Sequence, residues 1–127
     1  MKRLILLIIV CSTTSISIGQ NSIQAFLDNY KASDTIAIND FLNIQSLSIS
    51  NSDYTIAGYQ LNIMDRGFLK EFKSDSDKIT DEMRDAIENL KGKNIKTTKI
   101  FFEDIKVKTP VGKIKNIGGL LHIIKIE

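Results

Sequence analysis

Apolar and polar residues alternate along much of the chain, which is the period-two pattern of β-strands. The pattern predicts five strands: Phe41–Ile49, Tyr54–Met64, Phe68–Phe72, Thr98–Thr109 and Leu120–Ile126. The phase changes inside the first strand, which predicts a kink near Gln45–Ser46, and the first two strands are expected to form a hairpin. Turn residues separate the strands at Asn51–Asp53, Asp65–Gly67, Thr109–Gly112 and Gly118–Gly119. We therefore expect a mainly β (α+β) fold built on an antiparallel sheet.

One stretch changes to the period of an α-helix. Its apolar residues recur at spacings of three and four: Ile79, Met83, Ile87 and Leu90. Thr80 is expected to cap the N-terminus and Gly92 to end the helix, so the predicted span is Asp81–Lys91. Residues 20–34 remain open, because their apolar positions fit one face of a short helix and an extra strand equally well.

Two adjacent carboxylates, Glu103 and Asp104, interrupt the alternation of the fourth predicted strand. On a regular strand the apolar residues around them would point to opposite faces, Ile100 and Phe102 to one and Ile105 and Val107 to the other. One extra residue at Glu103–Asp104 returns all four to a single face, so the pair predicts a β-bulge. The alternative is acid–base chemistry, but neighbours on a strand point apart, whereas catalytic carboxylates converge on one bond.

His122 is the only histidine. In the last predicted strand it shares a face with Leu120, Ile124 and Ile126, so we expect a packed residue whose ring nitrogens both have partners. The only cysteine, Cys11, lies in the N-terminal segment. A transition-metal site is therefore not expected, and neither is a cofactor.

The N-terminus has the pattern of a secretory signal peptide. Lys2 and Arg3 precede the apolar run Leu4–Val10, and small residues follow up to Gly19. We predict a signal peptide over residues 1–19, with cleavage after Gly19, and a single domain over 20–127 in the periplasm or outside the cell. A membrane anchor would need roughly 20 apolar residues. A lipoprotein signal would need a small residue before Cys11, where this chain has Val10.

Charge is divided unevenly along the predicted mature chain. Residues 20–90 contain 6 basic and 12 acidic side chains, and residues 91–127 contain 9 lysines and 3 acids. A basic half can bind nucleic acid or an anionic surface. It lacks arginine and has only two aromatic residues, so we favour solvated lysines on a sheet, where they also oppose edge-to-edge aggregation.

The ordered elements resemble a known family. "FLNIQSLSISNSDYTIAGYQLNI" precedes "DRGFLKEFKSDSDKITDEMRDAIENLKGKNI", and "KIFFEDIKVKTPVGKIKNIGGLLHIIKI" follows. This order is similar to the C-terminal domain of GldM and PorM, periplasmic proteins of gliding motility and type IX secretion in Bacteroidota. The helix start at Thr80 and a "D-I-x-x-x-x-P-x-G" motif (Asp104, Ile105, Pro110, Gly112) carry the resemblance, which covers Ile36–Ile126.

The resemblance implies an immunoglobulin-like β-sandwich with one short helix packed on it. It also implies a non-catalytic module that binds envelope proteins, with components of type IX secretion or gliding as the candidate partners and no nucleic acid. It assigns no catalytic, cofactor or metal residue. The alternative is a small secreted ligand-binding protein or hydrolase that uses Glu103, Asp104 or His122.

Overall fold

A computed structural model describes residues 23–127. The predicted signal peptide, its cleavage after Gly19 and the cysteine at position 11 lie outside the described residues. Within them, no helix has the length and apolar character needed to cross a bilayer.

The described residues form eight strands and two short helices. In chain order these are β1 (Ala25–Phe26), β2 (Thr35–Ala37), α1 (Ile38–Leu42), β3 (Ser48–Ile49), β4 (Thr55–Asp65), β5 (Phe68–Ser74), α2 (Asp81–Glu88), β6 (Thr97–Lys108), β7 (Ile114–Ile117) and β8 (Leu120–Lys125). The fold is mainly β, as the sequence predicts.

Six strands form the main sheet, with β6 at its centre. The order is β2-β8-β6-β4-β5, and β7 pairs with the second half of β6 beyond the end of β8. All neighbours are antiparallel except β2 and β8, which run parallel. β5 is therefore an outer strand, and no described residue pairs with its free edge.

A second layer covers one face of this sheet. It consists of α1, α2 and the small antiparallel pair β1-β3. Buried side chains of both layers form one core: Leu61, Ile63, Ile100 and Phe102 from the sheet, and Phe41, Leu47, Met83 and Ile87 from the second layer. Burial of this apolar surface supplies most of the driving force for folding. The two layers make a sandwich-like α+β fold, which confirms the predicted class, with a second helix in addition to the predicted one.

The predicted bulge is confirmed at Glu103–Asp104. Gln60 of β4 faces Glu103 and Gly58 faces Lys106, so β6 contains one residue more than β4 between these pairs. Asp104 has a φ of 50°, in the left-handed region. As a result the apolar residues on both sides of the bulge are fully buried: Ile100, Phe102, Ile105 and Val107.

Strands β7 and β8, which pair with the same side of β6, are separated from each other opposite the bulge. Phe102 pairs with Leu120 of β8 and Ile105 with Ile117 of β7, so Gly118–Gly119 lies opposite the bulge. A Cβ on Gly119 would lie 2.8 Å from the Phe102 carbonyl oxygen. Glycine at this position allows the two backbones to approach closely.

Helix α2 begins as predicted. The Thr80 hydroxyl accepts a hydrogen bond from the Met83 backbone N–H at 3.2 Å, which satisfies one of the free donors of the first turn. The helix ends at Glu88, three residues before the predicted end, and turns lead to Gly92, whose φ is 83°. The Arg84 guanidinium donates to the Ile44 carbonyl at 2.9 Å and so joins α2 to the segment after α1.

The predicted strand Phe41–Ile49 is wrong over most of its length. Phe41 and Leu42 end helix α1, and only Ser48–Ile49 is a strand. This strand pairs with β1, so the predicted hairpin with β4 is also wrong. The physical reason is that a five-residue helix buries only Ile38 and Phe41, and two apolar residues cannot distinguish a helix from a strand.

The open N-terminal segment forms a short strand and turns over its described part. It contains β1 and no helix, and Asp28 and Ser33 have positive φ values of 48° and 71°, which a helix does not allow. Strand β7 was not predicted. It is mostly exposed and shows no inward-facing apolar alternation.

Candidate functional site

The two carboxylates of the bulge are exposed. Lys106 Nζ lies 2.7 Å from Asp104 Oδ2, and the Asn116 side-chain amide donates to Asp104 Oδ1 at 3.0 Å. The hydrogen bond from Lys106 holds the pKa of Asp104 below its usual range. A carboxylate that is stabilised in its charged form is a poor proton acceptor, so these contacts fit a residue that fixes the bulge.

His122 lies on the buried face of β8, as the alternation predicts. It pairs with Ile100, and its Nδ1 lies 2.9 Å from the Asp34 carbonyl oxygen, so this nitrogen donates. The Tyr30 ring approaches edge-on at 6.4 Å between centroids. Among the described residues Nε2 has no hydrogen-bond partner, so the expectation that both ring nitrogens are satisfied is wrong.

The structure does not bring the three candidate catalytic residues together. Glu103 and Asp104 are exposed at the bulge, whereas His122 is fully buried in the core. Within residues 23–127, no three His, Cys, Asp or Glu side chains cluster in a way that could hold a metal ion.

Exposed apolar side chains concentrate at two hairpin tips. At the β4–β5 tip, Phe68 is 76% exposed and Leu69 48% exposed. At the β6–β7 tip, Val111 is 78% and Ile114 51% exposed. Exposed apolar side chains that form a contiguous patch are typical of surfaces that bind other proteins, whereas single ones occur on most proteins. The two tips lie at opposite ends of β4, because Thr55 pairs with Lys108 and Asp65 pairs with Phe68.

The β4–β5 tip is a tight two-residue turn. Arg66 and Gly67 occupy it with φ values of 52° and 89°, the combination of a type I′ turn. This turn matches the twist of the strands and leaves Asp65 and Phe68 directly opposite each other. The short connection fixes the register, so Phe68 and Leu69 are held at the beginning of β5.

Three cations surround one carboxylate at this tip. Lys93 Nζ and Lys70 Nζ lie 3.0 and 3.1 Å from Asp65 Oδ2, and Arg66 Nε lies 3.4 Å from Oδ1. Hydrogen bonds from Lys93 and Lys70 lower the pKa of Asp65 to about 2. The carboxylate is therefore ionised at neutral pH, and the cluster as a whole carries an excess of positive charge.

A shallow cavity of about 330 Å³ lies at the same end of the sheet. Its lining is mainly apolar or neutral and includes Met64, Gly67, Ile95 and Ile123. Met64 is the cross-strand neighbour of Leu69. The cavity thus extends the apolar character of the β4–β5 tip onto the adjoining part of the sheet.

The pattern of apolar and polar residues offers little indication of this site. The pattern predicts a short strand that begins at Phe68 and a turn that contains Asp65, and neither prediction points to a binding surface. The available signal was the Asp65–Gly67 turn followed at once by two large apolar residues and then by Lys70 and Lys73.

Neither a protein-family model nor a curated protein matches this chain.

Proposed function

We propose that this chain is a non-catalytic protein-interaction module of the bacterial envelope, similar to the C-terminal domain of GldM and PorM. The resemblance supports this proposal, and the positions that carry it have clear backbone roles. Thr80 caps α2, Asp104 forms the bulge, and the Gly112 N–H donates to the Thr109 carbonyl at 2.9 Å to close the turn that contains Pro110.

The observation that carries the proposal is the β4–β5 tip. It combines exposed apolar side chains, a cationic cluster and a strand edge with which no residue of 23–127 pairs. The core of a protein-binding surface is apolar, and charged groups around it select the partner. The residues of the hydrolase alternative, in contrast, do not converge on a common point.

The proposed location is the periplasm or the cell exterior, and the proposed partners are components of gliding motility or type IX secretion. The signal pattern of residues 1–19 supports the location. The resemblance supports the partners, because the related domains belong to proteins of that machinery.

Affinity isolation tests the proposal directly. A tagged chain with its own N-terminal segment is expressed in its own cells and isolated from envelope extracts, and bound proteins are identified by mass spectrometry. We expect secretion or gliding components to be enriched over an untagged control. Recovery of only cytoplasmic proteins, or of none above the control, contradicts the proposal.

A further inference from the structure

Strand β5 has one backbone edge that no described residue pairs with. In a type I′ hairpin the residues flanking the turn form a hydrogen-bonded pair, here Asp65 and Phe68. Hydrogen-bonded pairs then alternate along the strands. The even-numbered residues of β5 therefore bond to β4, and the N–H and C=O groups of Leu69, Glu71 and Lys73 point to the free edge.

The side chains along this edge form a definite pattern. On the face shared with Asp65, β5 presents Phe68, Lys70 and Phe72, and on the other face it presents Leu69, Glu71 and Lys73. Five of these six side chains are exposed, and Phe72 is half-buried. The edge thus has two apolar side chains at the turn end, and beyond them Glu71 and Phe72 lie between Lys70 and Lys73.

We propose that β5 accepts an extended strand of a partner protein, which adds antiparallel to the sheet at this edge. The inference rests on the proposed function and specifies its mode of binding. The N-terminal residue of the partner segment lies opposite Lys73, and its sixth residue lies opposite Phe68. In this order its six residues are acidic, apolar, basic, acidic, apolar and apolar. Backbone hydrogen bonds supply affinity, and the side-chain pattern supplies specificity.

Charge favours a strand of a partner protein at this edge over residues 1–22 of the same chain and over a second copy of the chain. Residues 1–22 of the same chain contain Lys2 and Arg3 and no acidic residue, so they do not complement Lys70 and Lys73. A second copy that pairs over the whole of β5 would set Glu71 opposite Glu71, and directly opposed like charges are destabilising. Lysines on the free edge oppose self-association while attracting a carboxylate.

The probe is a capped synthetic peptide containing Glu-Val-Lys-Glu-Val-Val, added to the full, isotope-labelled chain. Amide hydrogen exchange is followed residue by residue by NMR. At a peptide concentration about ten times its Kd, exchange at Leu69, Glu71 and Lys73 is expected to slow about tenfold, since only the unbound fraction exchanges. A peptide of the same composition in scrambled order is expected to have no effect.

Two variants test the backbone and the charges separately. Glu71→Pro removes a backbone N–H that points to the free edge, a change that edge strands tolerate, and we expect it to abolish the slowing of exchange. Glu71→Ala keeps this N–H, so we expect exchange to slow as in the wild type. Lys73→Glu weakens binding, and a peptide that begins with lysine in place of the first glutamate restores it. The restoration also shows that the variant is folded.

The inference is overturned if the peptide slows no amide of β5 at millimolar concentration, or if protection occurs only at the β6–β7 tip. Equal binding by Glu71→Pro and Glu71→Ala also overturns it. These outcomes leave the proposed function standing when secretion or gliding components are still isolated with the chain. Conversely, isolation can fail while the peptide binds β5, so the two failures are distinguishable.

Discussion

Asp65 shows how a single residue determines the electrostatics of a surface. Its side chain is nearly buried, and an isolated carboxylate would be costly to remove from water. Lys70, Lys93 and Arg66 compensate this cost, but three cations exceed one anion. The same contacts therefore stabilise the hairpin and leave a positive surface beside Phe68.

The first prediction concerns the free energy of unfolding of Asp65→Asn. The folded-state pKa of Asp65, about 2, lies below its ordinary value of 3.8, so the carboxylate stabilises the fold above pH ~4. This contribution is lost as the pH falls through about 4 towards 2. We expect Asp65→Asn to cost about 2 kcal/mol at pH 7 in urea unfolding and progressively less below pH 4. The exposed control Asp53→Asn is expected to change little, and equal stability of Asp65→Asn and wild type at pH 7 would contradict the prediction.

At the scale of elements, the junction between β7 and β8 gives a second prediction with an adjacent control. A methyl group on Gly119 would lie 2.8 Å from the Phe102 carbonyl oxygen, and this oxygen belongs to the backbone of the central strand. We expect Gly119→Ala to lower the free energy of unfolding by about 2 kcal/mol. Gly118→Ala meets no atom within 4 Å and is expected to stay within about 0.5 kcal/mol of wild type. Similar losses in both variants would contradict this explanation.

Elements were predictable where pattern and local chemistry agree. The long alternations of β4 and β6, the bulge at Glu103–Asp104 and the cap at Thr80 all have local causes, and the sequence identifies them. α1 and β7 are too short to show a periodic pattern of apolar residues. Their structure depends on the elements that they contact in the fold. His122 combines both cases, because alternation predicts its face but cannot predict that Nε2 has no hydrogen-bond partner within residues 23–127.

The proposed interaction surface was less predictable, because it depends on contacts between residues distant in sequence. Exposure of Phe68 depends on where the second layer stops covering its face of the sheet, and Lys93 reaches Asp65 from a loop 28 positions further along the chain. Neither the extent of the second layer nor the contact between Lys93 and Asp65 follows from the spacing of residues in the sequence. The local signal was the turn at Arg66–Gly67, followed at once by two large apolar residues and then by Lys70 and Lys73.

At the scale of the whole molecule, the two exposed hairpin tips allow the proposed interaction surface to be tested against a matched control. Phe68→Ser removes an exposed aromatic side chain from the β4–β5 tip, and Val111→Ser removes an exposed apolar one from the β6–β7 tip. Both variants are expected to unfold within about 0.5 kcal/mol of wild type. Phe68→Ser should reduce the recovery of envelope partners about tenfold, as expected for a central interface residue, whereas Val111→Ser should leave it unchanged. The reverse ranking would assign binding to the other tip.

The parallel pairing of β2 with β8 has a consequence for the order of events in folding. Their contact spans about 88 residues of sequence, and β8 also lies between β2 and the central strand β6. Closing so long a loop costs entropy before any contact repays it, and such topologies fold slowly. Because β8 follows every other described strand in the chain, β2 cannot join the sheet during synthesis of the earlier strands. The nascent chain thus lacks the β2-β8-β6 part of its native sheet until β8 has been made.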